Sequence, residues 1–149
     1  ENLIGIAGFG AAAEAAARDL ADGVWERVGQ IRNTLNQALA AAGFETISVG
    51  NSARTLPNTI CLIAPGWKGE TQVMAMDLAG FAVSAGSACS SGKVKASRVL
   101  KAMGYSDEAA GQAIRISLGP DVAEEDVLRF AEVWVREYRR VLARQGKGV

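Results

Sequence analysis

The apolar residues of this chain change period along its length, and that change limits the folds open to it. Between residues 20 and 42 they recur at steps of three and four, in Leu20, Val24, Val28, Ile31, Leu35, Leu39 and Ala42. The same spacing returns near the other end in Val127, Ala131, Trp134, Tyr138 and Val141. Each set forms one face of a helix. Between them, Thr59 to Ala64 is a short, almost continuous apolar run bounded by Pro65 and Gly66. In Ala113 to Leu118, Ile114, Ile116 and Leu118 alternate with Arg115 and Ser117. A period of two is that of a half-buried strand, so Arg115 and Ser117 share the face opposite the isoleucines. Helical stripes interleaved with such strands predict an α/β (α+β sandwich) fold: a small sheet of about three to four short strands covered by helices, with a long N-terminal helical segment.

Punctuation residues supply the remaining boundaries. The first helical pattern runs from about Phe9 to Ala42, with Gly43 as its stop and Gly23 as a point where it breaks into two helices. Phe44 to Val49 reads as a strand, joined to the Thr59 strand through a turn at Gly50-Asn51-Ser52-Ala53. Glu70 to Ala79 reads as a helix closed by Gly80, and Phe81 to Val83 as a brief strand. A small-residue loop follows from Ser84 to Gly92, then a helix from about Val94 to Met103 stopped by Gly104. Asp121 and Glu124 resemble a capping box that opens the last helix, whose tail frays after Ala143.

With 149 residues, 49% of them apolar, the chain has enough material for one core without disulfides or a structural metal. Sixteen basic residues balance sixteen acidic ones, which argues against nucleic acid or a membrane surface as partner. No apolar run is long enough to span a bilayer and no leader opens the chain, so a cytoplasmic protein is expected. With no histidine and two cysteines, most zinc sites and every Ser-His or Cys-His pair are excluded. Chemistry is left to thiol, carboxylate, amine, guanidinium and hydroxyl groups. Because the chain begins at Glu1 rather than methionine, it reads as a fragment or processed product.

Three residues can carry that chemistry. Cys61, in the apolar strand, reads as a small hydrophobe with a structural role. Cys89 lies among Gly86-Ser87-Ala88 and Ser90-Ser91-Gly92, neighbours too small to bury it, and reads as an exposed loop thiol, reactive or incidental. Lys93, Lys95 and the start of the next helix are close enough in sequence to lower its pKa. A Walker phosphate loop is excluded, because five residues rather than four separate Gly86 from Gly92. A phosphatase-type loop lacks its arginine, since Lys95 stands six positions after Cys89. A redox pair is excluded because Cys61 is twenty-eight residues away. Arg115, on the non-core face of its strand, offers a planar fork for a carboxylate, the alternative being a solvated or salt-bridged surface residue.

Taken in order, SAGSACSSGK at 84–93, SRVLKAMG at 97–104 and AIRISLG at 113–119 are similar to the C-terminal region of NifS/IscS-type cysteine desulfurases. The likeness extends upstream through RTLPNT around Pro57 to the opening ENLIGIAGFGAAAEAA, and so covers essentially the whole chain. It departs at Lys95-Ala96-Ser97-Arg98, where the family often has Glu-Pro-Ser-His.

The resemblance implies a class V aminotransferase relative of the fold-type I, pyridoxal phosphate-dependent enzymes. On that reading residues 1–149 are a single C-terminal small domain, entered by a helical connection at about 1–22, and the large cofactor-binding domain is absent. The full-length enzyme would convert L-cysteine to L-alanine and a persulfide on Cys89, for transfer to an iron–sulfur scaffold or sulfur carrier. Arg115 would grip the substrate carboxylate, and Gly86 and Gly92 would act as loop hinges. The full-length enzyme would be a homodimer, and the fragment alone would be inactive and hold no cofactor covalently. A selenocysteine lyase, another class V relative, and a free-standing sulfur-carrier or interaction module are the alternatives.

Overall fold

The computed structural model describes residues 2–50, 53–86 and 96–146. Helix α1 spans Leu3–Ala21, its first turn capped by the Asn2 side chain, which accepts from the Gly5 N–H at 3.0 Å. Gly23, at φ +75°, turns the chain into α2, Val24–Ala41, so the long helical pattern is two helices broken where glycine permits a left-handed residue. Leu20, expected on the buried stripe, belongs to α1 and is 65% exposed, and none of the α1 residues is buried. The core stripe begins with α2 itself, at Val28, Ile31, Leu35 and Leu39.

The sheet contains β1 (Ile47–Ser48), β2 (Thr59–Ile63), β3 (Ser84–Ala85) and β4 (Ala113–Ser117) in the order β1-β2-β4-β3, with every pair antiparallel. Two strands differ from expectation. β1 does not begin at Phe44, because that ring packs edge-on against Tyr138, with centroids 4.8 Å apart. β3 begins at Ser84 rather than Phe81. The Phe81 N–H is bonded to the Met76 carbonyl at the end of α3 (Gly69–Leu78), and its ring packs edge-on against Phe130 at 5.3 Å. In both cases packing of an aromatic ring outweighs its strand propensity.

The helix expected from about Val94 to Met103 is shorter among the described residues, its positions 94 and 95 lying outside them. α4 is Arg98–Ala102, starting where the Ser97 hydroxyl accepts from the Leu100 N–H. A further short helix, α5 (Asp107–Gly111), is capped in the same way by Ser106, an N-cap signal that sequence reasoning passed over. α6 is Glu124–Arg144. The capping box expected at Asp121 and Glu124 is not formed; the N-cap is Ala123, which has no side-chain acceptor, and only the reverse bond is made, the Asp126 carboxylate accepting from the Ala123 N–H at 3.3 Å.

One face of the sheet, through Ile60, Leu62, Ile114 and Ile116, packs under α2 and α6 in the main core with Phe130, Trp134 and Tyr138. The opposite face carries a smaller cluster of Ile63, Ala113, Leu100 and Ala110, so α4 and α5 cover only part of it. Gln72 of α3 ties the main core to β4. It is fully buried, donating from its amide to the Trp67 and Gln112 carbonyls and accepting from Trp134 Nε1. Leu78 on the same helix is 90% exposed. Gln72→Leu should therefore destabilise the chain by about 2–3 kcal/mol, since it removes the Gln72 partner of the Trp67 carbonyl and of Trp134 Nε1 while the Gln112 carbonyl keeps the Ala64 N–H, whereas Leu78→Gln should stay within about 0.5 kcal/mol. Urea unfolding of both variants measures the difference.

Candidate active site

Arg115 sits in the middle of β4, opposite Cys61 on β2 and Ser84 on β3. The alternation that buries Ile114 and Ile116 turns Arg115 to the less-covered face, where it is exposed. Its Nη2 lies 3.5 Å from Ser84 Oγ, at the limit of a hydrogen bond, and among the described residues no carboxylate pairs with it. The guanidinium is thus charged, supported from one side and open on the other. It has the donor geometry for a carboxylate from outside.

Arg115, Cys61 and Ser84 line a cleft of about 420 Å³. Its far wall comes from α4, through Arg98, Val99 and Leu100, and Gly86 stands at its edge with φ +61°. The start of the β4 floor is held by a close approach of α3. A Cβ on Gly69 would lie 2.6 Å from the Ala113 carbonyl oxygen, so only glycine lets the helix end sit there.

Cys61 is half-buried and packs against the smaller core cluster, rather than being sealed in the core as its apolar strand suggested. Burial pushes its thiol pKa above the ordinary range, and the Arg115 guanidinium opposes that rise. The signal was present in the sequence: Cys61 lies between Ile60 and Leu62, so a period of two places it on the Arg115 face. Of the other expected site residues, Gly86 is at the cleft, and Cys89 and Gly92 lie outside the described residues. Sequence reasoning missed Ser84 and Arg98 as cleft residues.

A pyridoxal phosphate site needs a lysine facing a cleft and groups that accept its phosphate. The described lysines do not meet that requirement. Lys101 is paired with Asp107 at 2.8 Å, and Lys68 lines one cleft with Glu70, Asp107 and Glu108, whose charges oppose a phosphate, and another with Arg144 and an Arg140 already paired with Glu137. The chain has no histidine to stack on the ring. The described residues therefore fit a carboxylate, not the cofactor itself.

The Aminotransferase class-V family profile matches residues 1–130. The chain belongs to the class V aminotransferase family. Among curated relatives, this class V chain is 38% identical over 133 residues to a cysteine desulfurase of Cereibacter sphaeroides, covering 89% of the chain and 33% of the relative. It is 37% identical over 141 residues to the cysteine desulfurase IscS of Anaeromyxobacter sp. (strain Fw109-5), covering 94% and 34%. Its fold is similar to the X-ray structure of a NifS-like protein from Rickettsia africae ESF-5, with a TM-score of 0.74 and 25% identity over 96% of this chain and 35% of that one. The chain thus spans about a third of the length of the relatives it matches. None of its described helices is long and apolar enough to cross a membrane.

The cleft electrostatics predict the behaviour of Cys61. Alkylation there should be slow at neutral pH and rise only at alkaline pH, because the raised pKa keeps the thiol protonated. Arg115→Leu removes the cation that lowers this pKa, so the labelling profile should move to still higher pH. Mass-spectrometric iodoacetamide labelling across pH measures both.

Proposed function

We propose that this chain is the small domain of a pyridoxal phosphate-dependent cysteine desulfurase, in which Arg115 holds the carboxylate of L-cysteine and Cys89 receives its sulfur. The observation that carries the reading is the Arg115 guanidinium, exposed on the cleft floor without a carboxylate partner among the described residues, in a chain of the class V family. The cofactor would be held by the part of the polypeptide that the relatives have beyond the matched third. The exposed apolar residues of α1, with Ile4 89% and Phe9 79% exposed, would pack against that part.

In the proposed reaction the Cys89 thiolate attacks the sulfur of bound L-cysteine. An S–S bond forms and the substrate C–S bond breaks with its electron pair going to the β-carbon, which takes up a proton as the substrate sulfur loses its own, so that the sulfur is oxidised, the carbon is reduced, and alanine departs leaving a persulfide on Cys89. Small residues on both sides of Cys89, with Gly86 and Gly92 as hinges, would let the loop carry the persulfide to an iron–sulfur scaffold or another sulfur carrier. The full-length enzyme would work as a cytoplasmic homodimer, and the 149-residue chain alone would be inactive and hold no cofactor covalently.

Two variants of the full-length enzyme separate the roles. Cys89→Ser should abolish persulfide formation even at saturating L-cysteine, because a hydroxyl cannot hold a sulfane sulfur. Arg115→Ala should lower kcat/KM roughly 10- to 100-fold, the worth of a charge-assisted carboxylate contact, and much of the loss should appear as weaker substrate binding. Persulfide labelling and alanine release test both. Full turnover by Cys89→Ser, or unchanged binding and turnover by Arg115→Ala, would remove the corresponding role.

A further inference from the structure

The cleft that holds Arg115 contains a second arginine. Arg98 is the first residue of α4, and its place opposite the sheet is fixed from both sides. Ser97 caps the helix just before it, and Leu100, 3% exposed, anchors the helix in the smaller core cluster. Arg98 is exposed, and no hydrogen bond or ion pair to it is present among the described residues. Some other arginines of the chain are engaged, although Arg98 is not alone in lacking a partner among the described residues. Arg27 donates to the Val122 and Pro120 carbonyls, Arg32 to Thr55 and Leu56, and Arg140 to Glu137.

Among the described residues, charge in this cleft is one-sided: the ionised side chains of its described lining are Arg98 and Arg115, since the partly buried Cys61 stays a thiol. The remaining wall is apolar or neutral, with Val49, Val99, Leu100 and Met103 beside the serines Ser84 and Ser97. Two arginines without a carboxylate partner among the described residues, lining one cleft of about 420 Å³, raise the local potential for anions in a chain whose net charge is zero. A single carboxylate relieves one of them. A ligand with a second anionic group relieves both, and the volume suits a small amino acid.

We infer that the cleft selects small amino acids carrying two anionic groups, the α-carboxylate on Arg115 and an acidic or ionised side-chain group on Arg98. The inference rests on Arg115 as the carboxylate contact and adds Arg98 as a specificity-determining residue. Side-chain groups that meet the requirement are a carboxylate, an oxidised sulfur acid, and the thiolate form of cysteine itself.

The test is calorimetric titration of the full-length protein that contains this chain with L-aspartate and L-alanine, which share an α-carboxylate and differ by one anionic group. L-aspartate should bind about tenfold more tightly than L-alanine, the preference expected of one further charge-assisted contact at a partly solvated site. Arg98→Leu should erase that preference by weakening aspartate to the level of alanine, with alanine unchanged, while Arg98→Lys should keep part of it. Arg115→Leu should weaken both ligands. Thermal unfolding of each variant confirms that the fold is retained. Equal binding of the two ligands by the unaltered protein, no binding of either, or an Arg98→Leu variant with the preference intact would overturn the inference. If Arg115→Leu instead leaves both affinities unchanged while Arg98→Leu acts, the carboxylate role of Arg115 fails and so does the two-arginine selection built on it. The sulfur-acceptor role of Cys89 is judged separately, by its own variant.

Discussion

The antiparallel ladder between β2 and β4 is the constraint on which the rest of the molecule depends, because its register decides what each face of the sheet carries. Ile60 pairs with Ile116 and Leu62 with Ile114, and these four side chains point together into the core under α2 and α6. Cys61 pairs with Arg115, and both point the other way. A slip of one residue would bury a guanidinium and expose the isoleucines, a change costing several kcal/mol for the charge alone. The hydrophobic force that selects the register therefore also delivers Arg115 to its cleft.

The two faces of the sheet are unequally covered, and the inequality makes a site. The main core has a cluster of Trp67, Trp134 and Tyr138, the Tyr138 hydroxyl donating to the Pro65 carbonyl at 2.7 Å, and the buried Gln72 amide binds this cluster to the approach to β4. These contacts make a rigid platform. Among the described residues the other face has α4 and α5, five residues each, anchored by Leu100 and Ala110. Helices that short cannot cover a four-stranded sheet, and the uncovered strip is where Arg115, Ser84 and Cys61 are accessible. A rigid back and an open front are suited to holding a charged group at a fixed position.

The electrostatics of the cleft follow from the same arrangement. Carboxylates near this end of the molecule are turned elsewhere: Asp107 is paired with Lys101, and Glu108 lies within reach of Gln112 at 3.3 Å. Arg115 and Arg98 thus remain the cationic members of a neutral wall, although the chain as a whole carries no net charge. Cys61, in the same cleft, is held protonated by burial more than it is ionised by its arginine neighbour.

Much of this was legible in the sequence. The period-two run from Ala113 to Leu118 located β4 and the side on which Arg115 emerges, and the stripe from Val127 to Tyr138 located the buried face of α6, because both depend on local geometry and on water. Gly23 marked the break between α1 and α2 for a reason equally local, its positive φ. What lay beyond the sequence depended on distant partners. Phe44 and Phe81 left their expected strands for rings on α6, Leu20 and Leu78 face outward despite their chemistry, and Gln72 is buried because Trp134 and two carbonyls satisfy it. The sequence alone determined which residue types were available for chemistry: one guanidinium on a strand, thiols without histidine, and a glycine-flanked cysteine. Only the tertiary structure decided that Arg98, Arg115 and Cys61 would line one cleft, because residues 17 and 54 positions apart in the chain share a site only when the sheet register and the Leu100 anchor bring their elements together.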